Sequence, residues 1–281
     1  MADRSQQVWF ISGATAGFGR EISKAVLAAG GRVFATARHP ADLADLAAGA
    51  DGRLIAHSLD VTKRDEIHAA VAAANAAFGG IDVLVNNAGY GLIASVEEAH
   101  EADYARMFAV NLYGPLDLIR AILPGMRAQR RGWIVNISSI AGRTSVPGGA
   151  FYSASKYALE GLSDGLRMEV EPLGIGVTVV EPGAFRTDFA GRSLVIGPPG
   201  HPDYAATVGR FAEILPSYDG KQPGDPAKAA AAILAALDHD KPPRQLLLGS
   251  DALGSIEPIV QAQREEIDRW RTLSLGTDFT S

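Results

Sequence analysis

The sequence predicts an α/β protein built on a doubly wound, seven-stranded parallel sheet with helices on both faces. Three observations predict it. Seven short runs rich in apolar and β-branched residues recur along the chain, as expected of strands buried on both sides. Segments with helical spacing of apolar residues lie between them, so strand and helix alternate as in successive right-handed βαβ units. A glycine cluster joins the first strand-like run to the first helix-like segment.

The elements follow in order. Val8 to Ile11 is the first strand, and Ile22, Val26 and Ala29 then mark one face of a helix. Arg32 to Ala37 and Leu54 to Leu59 are the second and third strands, the latter followed by a helical face at Ile67, Val71, Ala74 and Phe78. Asp82 to Asn86 is the fourth, and Met107 to Leu123 reads as helix. Trp133 to Ser138, Val177 to Glu181 and Gln245 to Leu248 complete the seven, with an alanine-rich helix former at Ala227 to Leu237 before the last.

Two stretches break this rhythm. Residues 190–225, with Pro198, Pro199, Pro202, Pro216 and Pro223, are long for a connection inside a compact domain, and a substrate lid is expected there. In the C-terminal stretch 256–281, the spacing of Ile256, Ile259, Val260, Ile267 and Trp270 predicts a packing helix followed by a tail. No repeat or shift of composition marks a second domain, so residues 1–281 read as one.

Composition narrows the function. Hydrophobic residues make up 47% and charged residues 21%, an ordinary globular balance. A net charge of -6 would repel a phosphate backbone, and the densest basic cluster, Arg127, Arg130 and Arg131, reads as solvated cations at a helix end, so no nucleic-acid partner is expected. There are no cysteines, and the six histidines never pair at ligand spacing, so no metal site is expected. No apolar run reaches the ~20 residues of a membrane span, and the early first strand leaves a secretory leader no room. A cytoplasmic protein without a membrane partner is the expectation.

The glycine cluster carries the first chemistry. Ser12-Gly13-Ala14-Thr15-Ala16-Gly17-Phe18-Gly19 sits between strand and helix, where glycines admit a sharp turn and an anion can approach the unsatisfied N–H groups of a helix N-terminus. Its spacing is Gly-x-x-x-Gly-x-Gly. The chain here resembles the short-chain dehydrogenase/reductase family, with Ser12 in place of the usual threonine and Phe18 in place of an aliphatic residue. The resemblance continues through Asp60-Val61, Asn86-Asn87-Ala88-Gly89, Asn111, Ser138-Ser139, Tyr152-Ser153-Ala154-Ser155-Lys156 and Pro182-Gly183 up to Thr187, over roughly residues 8 to 190. It implies a Rossmann fold that binds NAD(P), with Gly13, Thr15, Gly17, Phe18, Gly19, Asp60, Val61, Asn87, Ala88, Gly89, Pro182, Gly183, Phe185 and Thr187 lining the cofactor.

Tyr152 and Lys156 are four residues apart, which places them on one helix face a turn apart. A free tyrosine has a pKa of about 10, and a nearby ammonium and an oxidised nicotinamide both favour its phenolate. Tyr152 can then exchange a proton with a substrate oxygen. Ser139, at the carboxyl end of the fifth strand, can hydrogen-bond that oxygen, whereas the resemblance leaves Ser138 structural. The resemblance adds Asn111, holding a water that relays protons to Lys156, and has Tyr152 and Lys156 border the nicotinamide ribose.

At the end of the second strand Ala37 occupies the place of the acidic residue that binds a ribose 2′-hydroxyl, and Arg38 follows it, suited to a 2′-phosphate. NADP(H) is therefore preferred, with NAD(H) the alternative if Arg38 faces solvent. The expected reaction moves a hydride between the cofactor and a carbonyl or alcohol carbon of a mainly apolar small molecule. An NAD-dependent alcohol or hydroxysteroid dehydrogenase is the second reading, and a non-catalytic NADP(H) sensor the third. Family analogy further implies a homodimer or homotetramer joined through the helices at Asn111 to Leu123 and Ala150 to Glu171.

Overall fold

The protein was analysed as a computed structural model, which describes residues 5–189, 191–197 and 200–279. Its sheet has seven strands: β1 (Val8–Ser12), β2 (Arg32–Ala37), β3 (Leu54–Ser58), β4 (Val83–Asn86), β6 (Gly132–Ile137), β7 (Ile175–Pro182) and β9 (Gln245–Leu248). Their order is β3-β2-β1-β4-β6-β7-β9, and every neighbouring pair is parallel. This is the doubly wound Rossmann arrangement read from the sequence, with strand ends shifted by a residue or two. The chain winds outwards in one direction from β1 and in the other from β4, so a crevice opens beyond their carboxyl ends at Ser12 and Asn86.

Alternation along the strands explains why both faces are covered. Trp9 and Ile11 of β1 point into one apolar layer with Val33, Val85, Val135 and Val180, while Phe10 points into the other with Phe34, Leu84, Ile134 and Val177. Helices α1 (Gly17–Ala28) and α8 (Pro226–Leu237) close the first layer through Ile22, Val26, Ala230 and Ile233. Helices α3 (Arg64–Phe78), α5 (Gly114–Gln129) and α6 (Ala150–Val170) close the second through Ile67, Ile119 and Leu166. A short α2 (Ala44–Ala48) lies between β2 and β3.

The structure departs from the sequence reading in three places. The stretch Met107 to Leu123 is not one regular helix: α4 (Glu101–Phe108) passes through a π-helical turn at Ala109–Tyr113 into α5. Asn111 sits in that wide turn, a local irregularity that often marks a functional position. Residues 190–225 are not a plain loop. Strand β8 (Leu194–Ile196) pairs in parallel with β5 (Gly91–Ile93) as a second, two-stranded sheet, and α7 (Arg210–Ile214) follows. Ala190, Pro198 and Pro199 of that stretch lie outside the described residues, as do Thr280 and Ser281 of the tail.

The third departure is the C-terminal helix. It forms as α9 (Ser250–Leu275), but only Ala252 and Ile256 are buried, and Ile267 and Trp270 are exposed. The expected packing ends there because the sheet supplies no further surface beyond the last strand for the distal turns to cover. Among the described residues, no helix is long and apolar enough to cross a membrane.

Candidate functional site

The glycine cluster forms the turn from β1 into α1. Gly13 and Gly17 have φ of 67° and 53°, a region costly for residues with a Cβ. Gly19 is held by closeness instead: a Cβ there would lie 2.5 Å from both Asn87 Nδ2 and the Gly13 carbonyl oxygen. Asn87 Nδ2 donates to the carbonyls of Ser12 (3.0 Å) and Gly13 (2.8 Å), which fixes the turn from the β4 side. The Ser12 hydroxyl, buried, accepts the backbone N–H groups of Asn87 (3.0 Å) and Ala88 (3.1 Å). The serine that replaces the family's threonine thus ties β1 to the Asn87-Ala88-Gly89 segment. Thr15 lies on the same turn, and Phe18 packs edge-on against Phe185 with ring centroids 5.1 Å apart.

Beyond β2 and β3 lie the residues read as the adenine end. Ala37 is buried and Arg38 exposed, with the Arg38 carbonyl near the Ser58 hydroxyl at 3.5 Å. Asp60 is held below the ordinary carboxylate range: burial pushes it up, but hydrogen bonds from the Thr62 N–H and hydroxyl, with the charges of Lys63 and Arg38, outweigh that. Val61 is buried in close contact with Gly114 at the start of α5, so its side chain anchors this turn to the helix layer.

Beyond β6 the structure brings Ser139, Tyr152 and Lys156 together. Ser139 caps the turn Ile140–Gly142, its Oγ accepting from the Ala141 N–H at 3.1 Å. Burial pushes Tyr152 up to about 12, with the neighbouring Ser139 hydroxyl acting in the opposite direction. Lys156 Nζ lies 5.7 Å from the Tyr152 ring centroid and donates to the Ile137 carbonyl at 2.9 Å. Burial lowers Lys156 itself to about 8, against the opposing charge of Glu160.

Asn111 is buried, and both ends of its amide are hydrogen-bonded. Oδ1 accepts from the Tyr90 N–H at 3.0 Å, while Nδ2 donates to the Tyr90 carbonyl (2.9 Å) and the Ser155 hydroxyl (3.1 Å). Gly89 lies between Asn111 and Lys156, so the π-helical turn, the β4 loop and α6 meet at one point. The side chain of Asn111 therefore fastens the Gly89-Tyr90 backbone to α6, a role its spacing did not reveal.

The loop after β7 completes the rim. Gly183 N–H donates to the Leu248 carbonyl at 2.9 Å, and Ala184 N–H to Asp251 Oδ2 at 2.6 Å, so Asp251 at the start of α9 fixes the Pro182-Gly183 turn. Phe185 bridges to Gly224, and Thr187 packs on Gly17. Phe189 reaches back over the cleft, its ring 5.6 Å from that of Tyr152. Asp251, Ser155, Glu160, Glu181 and Arg143 were missed in the sequence. Helical spacing could have flagged only Glu160, one turn beyond Lys156. Among the described residues there is no metal-ligating cluster.

The pattern of the short chain dehydrogenase family matches residues 7–194, two-thirds of the chain, from β1 to the start of β8. The chain belongs to the short-chain dehydrogenase/reductase family. It is 38% identical to Oxidoreductase BOA17 of Botryotinia fuckeliana over 96% of this chain and 99% of that protein. It is 33% identical to a 3-ketodihydrosphingosine reductase of Bacteroides thetaiotaomicron, covering 94% and 93%. A short-chain dehydrogenase from Streptomyces avermitilis shares the fold at a TM-score of 0.91 and 44% identity, over 99% of this chain and all of that one. Two more distant members, each 26% identical, were solved with nicotinamide cofactors. The Burkholderia phymatum protein, with NAD, has a TM-score of 0.80 over the whole of both chains, and that of Burkholderia cenocepacia, with NADP, 0.73 over 95% and 98%. As a member of this family the protein is an oxidoreductase, and its family neighbours bind NAD or NADP.

Proposed function

We propose that this short-chain dehydrogenase/reductase uses NADP(H) to interconvert a carbonyl and an alcohol on a mainly apolar small molecule, with Tyr152 as acid and base. The observation that carries the reading is the convergence of Ser139, Tyr152 and the buried Lys156 at the carboxyl end of β6. Ligands of open parallel sheets bind at such strand ends.

The cradle fits a dinucleotide. Gly13, Thr15, Gly17, Phe18 and Gly19 leave backbone room at the N-terminus of α1 for the pyrophosphate, with Asn87, Ala88 and Gly89 along one wall. Asp60 and Val61 would border the adenine, and Pro182, Gly183, Phe185 and Thr187 the nicotinamide end, with Tyr152 and Lys156 beside its ribose. Arg38, exposed past β2 with no acidic residue at Ala37, would grip a 2′-phosphate. When bound, the nicotinamide supplies the hydride.

The chain's own residues do the rest. Tyr152, protonated at neutral pH, donates its proton to the carbonyl oxygen in reduction and recovers one through Lys156 and a water held at Asn111. Ser139 hydrogen-bonds the same oxygen and stabilises charge developing there. Phe189 and Tyr90, packed near Tyr152, supply an apolar wall, and the 3-ketodihydrosphingosine reductase among the relatives supports a ketone substrate. The NAD complex of the Burkholderia phymatum protein keeps an NAD-dependent dehydrogenase as the second reading.

We read residues 1–281 as one Rossmann-type domain in the cytoplasm, assembled as a homodimer or homotetramer. Exposed Tyr157 and Met168 on α6 and Tyr113 at the start of α5 support pairing through those helices. The test of the function is cofactor consumption across a panel of ketones, aldehydes and alcohols with both nicotinamides. Turnover of apolar ketones with NADPH is expected, and no turnover with either cofactor would refute the reading.

A further inference from the structure

The turn that carries Ser139 is gripped from α6 at both of its ends. At its start Lys156 Nζ donates to the Ile137 carbonyl at 2.9 Å. At its finish Glu160, one helical turn on, fills the space beside Gly142, where a Cβ would lie 3.0 Å from Glu160 Cγ and 2.9 Å from Ser138 Oγ. Tyr152, one turn before Lys156, reaches Ser139 between these two points. Successive turns of one helix thus touch Ser139, Ile137 and Gly142.

Glu160 does not act as a lone carboxylate. It feels the charge of Glu181 on β7, which is fully buried. Arg143, the residue after the turn, reaches both Glu181 oxygens at 3.2 Å, and Gln245 on β9 donates to Glu160 Oε2 at 3.2 Å. The other charges facing the cluster are Lys156 and Asp164, the latter bound to Arg167 and Arg244. Two neighbouring buried carboxyls, matched by one guanidinium, cannot both ionise at low cost.

We propose that Glu160, packed against Gly142 and held by Gln245, is a positioning residue that clamps the Ser138–Gly142 turn to α6 and keeps Ser139 in register with Tyr152 and Lys156. Loss of its proton sets a second buried anion near Glu181 and loosens the clamp. The direction of the titration agrees: burial, with the neighbouring Glu181 charge, pushes Glu160 up to about 7, and Glu181 is raised as well. A carboxyl raised by folding is held protonated by the native state. Stability therefore falls as pH rises from the ordinary carboxylate range to about 7 and is flat beyond.

The effect on turnover rests on the oxidoreductase reading, so the test has a second arm that needs no turnover. The full-length wild type, Glu160→Gln, Glu181→Gln and Glu160→Leu are compared between about pH 5 and 8 by thermal unfolding and by kcat and KM on the best ketone. In wild type Tm should fall as pH rises to about 7 and then level off, while kcat should fall through about pH 7. Glu160→Gln, which keeps the hydrogen bond without the titration, should flatten both profiles. Glu160→Leu should lower kcat on the order of tenfold or more at every pH, with KM for NADPH unchanged. Identical pH profiles in wild type and both glutamine variants would overturn the clamp, whatever their activity. Absence of turnover in every protein, with the Tm profiles altered as expected, would count against the oxidoreductase reading alone.

Discussion

The ring of Phe189 lies 5.6 Å from that of Tyr152, centroid to centroid, and is tilted by 48° to it. Phe189 also closes on Gly91 of β5, beside Leu194 of β8, so the two-stranded sheet holds this aromatic over the reactive phenol. On the proposed mechanism, a substrate carbonyl approaching Tyr152 would pass beside that ring.

Phe189→Ala should therefore weaken apolar substrates selectively. An aromatic contact contributes about 0.5–1.5 kcal/mol, which corresponds to a rise in KM of roughly two- to tenfold. NADPH affinity should be unchanged. Steady-state kinetics across ketones of increasing apolar area checks this, and an unaltered KM throughout the series would contradict it.

Ser12→Ala removes one buried oxygen that accepts two backbone N–H groups, those of Asn87 and Ala88. Leaving buried donors unpaired costs about 1–3 kcal/mol, so Tm should drop by several degrees and NADPH binding should weaken as the cradle loosens. Scanning calorimetry reads the first effect and fluorescence titration the second. Wild-type Tm in the variant would show that Ser12 does not hold β1 to the Asn87 segment.

Arg38→Ala should cost NADPH a charge-assisted contact that NADH never makes. Hydrogen bonds to charged groups contribute about 1.5–3 kcal/mol, on the order of ten- to a hundredfold in affinity. NADH titration should be unaffected. Equal affinity of the wild-type protein for NADPH and NADH would refute the assignment.

Much of this site was legible because it lies on short loops directly after strands, where spacing survives folding. Gly13, Asn87 and Ser139 could be placed from the sequence for that reason, Tyr152 by its one-turn spacing from Lys156 on α6, and the alternating strands marked out the sheet beneath them. The supports were not legible. Asp251, Glu181 and Arg143 come from distant segments and are common residue types, so only tertiary packing reveals that they hold the Pro182-Gly183 and Ser139 turns. The side-chain partners of Asn111 depend on a π-helical turn that apolar periodicity cannot distinguish from regular helix. The apolar residues of α9 carried a packing signal, yet beyond Ile256 there is no sheet left to receive them.

The central claim is that the Tyr152 hydroxyl moves the proton, and single-turnover kinetics of Tyr152→Phe test it most directly. With saturating NADPH and the best ketone, the substitution should slow cofactor oxidation by about 10²–10⁴-fold, the usual contribution of general acid catalysis. The ring that Phe189 packs against remains, so NADPH affinity should match wild type. A Tyr152→Phe protein that turns over at the wild-type rate would contradict the account.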